Sequence, residues 1–81
     1  MNIYLVSQSV NNQYDTYSDI VVAAKDEESA RMILPDEYST WDEKDNYGSW
    51  AYSPDQVTVK LICVVSDRIE AGVILAFFHA G

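Results

Sequence analysis

The chain of 81 residues holds one cysteine, one histidine, three glycines, two prolines and five basic side chains. With Cys63 alone there is no internal disulfide, and Cys63 and His79 together are too few for a structural zinc site. Gly48, Gly72 and Gly81 stand too far apart to form a loop that cradles phosphate. No apolar run approaches the roughly 18–20 residues that span a bilayer. The opening "MNIYLVSQS" has neither the basic flank nor the cleavage site of a secretory signal, so the expected compartment is the cytoplasm. Cys63, inside "VKLICVVS", reads as a small buried hydrophobe in that compartment.

Acid is plentiful. The net charge is −8, and residues 15–55 account for all of it, with eleven acids against Lys25, Arg31 and Lys44. In the last third, Asp67 and Glu70 are balanced by Lys60 and Arg68. Such a field repels nucleic-acid phosphates and anionic membranes, which argues against direct binding to either, and it steers the chain towards basic protein surfaces.

The pattern predicts a single α+β domain over residues 1–81: one four-stranded antiparallel sheet with one short helix, in the order ββαββ. Residues 2–9 and 17–24 form a first hairpin around the turn-prone "VNNQYDT". Asp26 caps a helix over about residues 27–34, with Ala30, Ile33 and Leu34 as its apolar stripe and Pro35 as its stop. Residues 56–65 and 72–80 are strong β-runs expected to pair with each other. Val57, Val59, Leu61, Cys63 and Val65 are placed on one face. Both faces of that half are apolar, so both should be covered, and a chain this short lacks the material to do it alone. A homodimer across residues 57–65 and 72–79 is therefore expected.

The long segment between helix and third strand contains "YSTWDEKDNYGSWAY", with five aromatics among four charges. Two compatible roles suit it. Trp50, between the small Ser49 and Ala51, is expected to be buried and to hold the loop on the sheet. Trp41, against the charge run, is expected to be exposed. A partner-binding surface is assigned to Trp41, Asp42, Glu43, Asp45 and Tyr47, with Tyr14 and Tyr17 from the hairpin, because aromatic anchors inside a charged rim concentrate binding energy. "WDEKDNYGSW" lacks the ligand spacing of a calcium loop. His79 has no nucleophile motif near it, and Asp42 and Glu43 are adjacent, with no spacing that makes them converge on one atom. No catalytic residue, metal or cofactor is assigned.

"IYLVSQSVNNQYDTYSDIVVAAKDEESARMILP", followed by "GSWAYSPDQVTVKLI" and "GVILAFFHAG", resembles a family of small uncharacterised bacterial and bacteriophage proteins. Tyr14–Tyr17, Trp50 with Ser53 and Pro54, and the closing Ala80 and Gly81 carry the likeness, which runs over nearly the whole chain. The family has no established activity, so the resemblance implies domain limits and a phage or mobile-element setting. Two kinds of function stay open. One is a small acidic inhibitor, of the anti-CRISPR or another anti-defence type, that binds a basic protein surface. The other is a small-molecule module in which Tyr14, Tyr17, Trp41 and Trp50 line an aromatic pocket.

Overall fold

The computed structural model describes residues 1–12, 15–36, 41, 49–64 and 71–79, the last five of these as backbone alone. Strands β1 (Asn2–Ser7) and β2 (Thr16–Ala24) form the central antiparallel pair, in register from Asn2 opposite Ala24 to Ser7 opposite Asp19. Alternation puts Tyr4 and Val6 on one face with Val22 and Ile20, and Ile3 and Leu5 on the other with Ala23 and Val21. Both sets are apolar, which is why the hairpin takes the middle of the sheet and not its edge.

Helix α1 (Glu27–Arg31) comes next and is shorter than the pattern suggests, with Met32 already its C-cap. Asp26 is the N-cap, and its Oδ1 accepts from Ser29 N at 2.7 Å. Ile33 and Leu34 lie past the helix yet still pack on the core beside the buried Ala30, so the apolar stripe outlasts the hydrogen-bonded turns. Arg31 ties the helix forward: its Nη1 donates to the carbonyls of Val57 (2.6 Å) and Pro54 (3.2 Å), and its Nη2 lies 3.5 Å from Glu27. Pro54–Gln56 is a single 3₁₀ turn, closed by Gln56 Oε1 accepting from the backbone N–H groups of Tyr52 and Ser53.

β3 (Thr58–Val64) and β4 (Gly72–His79) complete a four-stranded antiparallel sheet in the order β3-β1-β2-β4. The expected β3–β4 pairing is therefore corrected. β3 pairs with β1 and β4 with β2, so the two stand at opposite edges. The apolar faces of β1 and β2 make that hairpin the better-buried partner for each late strand, and this outweighs the local closure that a β3–β4 hairpin offers.

The shared face of β3 is corrected as well. The ladder shifts between Ile3 and Tyr4, with Tyr4 opposite Leu61 and Ile3 opposite Cys63. Ile62 is the extra residue of a β-bulge, and the bulge sends Leu61 and Cys63 to opposite faces. Six of the seven β3 residues are exposed, Cys63 among them, so it is not the buried hydrophobe expected.

One core gathers on the Tyr4 face. Tyr4, Val6, Ile20, Val22, Ala24, Ala30, Trp50, Ala51 and Val57 form a single buried cluster, and Tyr17, Ile33, Leu34, Trp41 and Val59 pack against it half-buried. Trp50 is fully buried and is the largest side chain in it. Trp50→Ala should cost about 3–5 kcal/mol, the usual loss on emptying a large aromatic site. A lowered urea midpoint with an unchanged slope would report it. The Asp26 cap makes a second, pH-dependent prediction. The bond from Ser29 N–H, then that from the Ser29 hydroxyl, holds the Asp26 carboxyl below its ordinary 3.8 in the folded chain. The cap's contribution is then complete above that value and lost as pH falls through the lowered one, so Asp26→Ala should flatten the acid limb of a thermal-melting profile.

Candidate functional site

At the loop end of the central hairpin, the chain beyond β1 is held by one further backbone bond and by side chains. Gln8 N donates to Ser18 O at 3.0 Å. Its amide Nε2 donates to the carbonyls of Tyr17 (2.7 Å) and Asn11 (2.8 Å), while its Oε1 accepts from Asn11 N at 2.9 Å. Both Gln8 and Asn11 are buried, where amides are stable only when bonded in this way. Asp15 takes the left-handed conformation, φ 60°, which aspartate tolerates better than most residues.

The same clamp reaches the aromatic segment. Asn11 Nδ2 donates to Trp50 O at 3.2 Å, and Tyr17 N donates to Ser49 O at 2.9 Å, fixing the segment's C-terminal flank beside the buried Trp50 indole. The N-terminal flank is fixed from the same place, because the Tyr17 hydroxyl hydrogen-bonds Asp36. Trp41 adds a third attachment: it packs half-buried on the core, and its Nε1 donates to Met32 O at 3.4 Å. Tyr17 thus holds both flanks of residues 37–48, one through its main chain and the other through its phenol.

Of the residues assigned to partner binding, Tyr17 and Trp41 pack against one core cluster. Trp41 is not fully exposed as expected, since it packs against the core cluster and its indole N–H bonds Met32 O. Tyr14, Asp42, Glu43, Asp45 and Tyr47 lie outside the described residues. Gln8, Asn11 and Asp36 are additions that sequence reasoning misses. In the sequence, Gln8 and Asn11 look like ordinary turn residues, and no local pattern separates a buried amide from a solvated one.

Of the four residues named for the aromatic-pocket reading, Tyr14 lies outside the described residues. Tyr17, Trp41 and Trp50 pack into or onto the core. One hollow of about 120 Å³ is lined by Ser7, Gln8, Ser9, Gln56 and Thr58, none of them aromatic. It is well below the ~300 Å³ at which small-molecule pockets begin. Among the described residues, no three His, Cys, Asp or Glu side chains gather as a metal site would require.

Burial, then the hydrogen bond to Asp36 and its negative charge, raise the Tyr17 phenol above its ordinary 10.0. The neutral phenol is favoured in the folded chain, so this stabilisation is complete below pH 10 and is lost as pH rises through the raised value. In an ultraviolet titration, Asp36→Asn should move the ionisation of Tyr17 back towards the ordinary tyrosine range. No protein-family model, curated protein or solved structure matches the chain.

Proposed function

We propose that the chain is a small acidic binding protein without catalytic activity, which docks its aromatic, acidic segment on a basic surface of another protein. The supporting observation is the double attachment made by Tyr17, to Ser49 on one flank and Asp36 on the other. Asp42, Glu43 and Asp45 lie in sequence between those attachments. A segment held at both ends has less chain entropy to lose on binding than a free one. Its net charge supplies long-range attraction to a cationic partner and repulsion from phosphates.

The partner class with the best electrostatic match is a protein whose basic channel normally receives nucleic acid, since a compact anion can occupy that channel in place of the phosphate backbone. An anti-defence inhibitor carried by a phage or other mobile element and acting in the cytoplasm fits this chemistry. Trp41 is one anchor, with Tyr47, Tyr14 and Tyr17 as the other aromatics of the surface, and no cofactor is involved.

The half-burial of Trp41 changes which variant tests the proposal. Trp41→Ala should cost stability, about 1–2 kcal/mol, as well as affinity, so loss of binding alone would be ambiguous. Reversal of the charges at Asp42, Glu43 and Asp45 to lysine is the cleaner change. Tagged protein incubated with bacterial lysate should retain one stoichiometric basic protein, with affinity that falls steeply as salt is raised. The triple reversal should weaken that complex by at least about 100-fold, roughly 2.7 kcal/mol, without lowering the melting temperature. Undiminished binding by the triple variant would refute the assignment and move the search to the hairpin around Tyr14 and Tyr17.

A further inference from the structure

We draw no further inference here: the strongest candidate, the apolar surface patch of Leu61, Ile62 and Val64 exposed along the β3 edge of the sheet, carries nothing, because nothing in the structure shows what covers it.

Discussion

The burial of Trp50 against one face of the central hairpin is the contact on which the rest of the structure depends. Fully enclosed in one cluster with Tyr4, Val6, Ile20 and Val22, it lets so short a chain build a core on the helix side of the sheet without a disulfide. Its carbonyl accepts from Asn11, and its neighbour Ser49 accepts from Tyr17, so the same residue that fills the core carries the end of the aromatic segment to the hairpin. Packing and site construction are therefore not separable at this position.

Around that contact, polar chemistry does what regular secondary structure would do in a larger domain. Gln8 extends the end of β1 beyond its last backbone bond by bonding three backbone groups with one side-chain amide. Arg31 bridges the five-residue helix to Pro54 and Val57, so a helix too short to be stable alone is held by the 3₁₀ turn and the start of β3. Tyr17 lies where these bonds meet the acidic segment. A binding surface carried there would be set by the position of the core, not by the loop's own preferences.

Placing β3 and β4 at opposite edges has a cost that the core does not offset. Each late strand gains a well-buried partner in the hairpin, but each also presents its outer side, and Leu61, Ile62, Val64, Val73 and Ile74 are exposed as a result. The register shifts, between Ile3 and Tyr4 on one ladder and between Tyr17 and Asp19 and between Val21 and Val22 on the other, distort these edges without hiding them.

Four strands and one short helix, the Asp26 cap, the burial of Trp50 and the acidic character of residues 15–55 were set by the sequence, because each arises from local composition or from the side chain's own size and charge, whereas the 3₁₀ turn Pro54–Gln56 and the early end of the helix were not. Tertiary structure alone decided which strands are neighbours, since β-runs as apolar as 56–65 and 72–80 satisfy several pairings equally until all compete for the same hairpin. It also decided the faces of β3, where a single bulged residue reverses every later side chain and exposes Cys63. The candidate site divides the same way. Trp41 and Tyr17 were legible as aromatics, but the bonds at the segment's flanks run from Asn11 to Trp50 and from Tyr17 to Ser49 and Asp36, with Gln8 bracing Asn11 and Tyr17 behind them, and these polar groups owe their importance to burial and position in space. A polar side chain has no periodicity to betray it, and its role exists only once the chain has brought an unmet backbone group within reach.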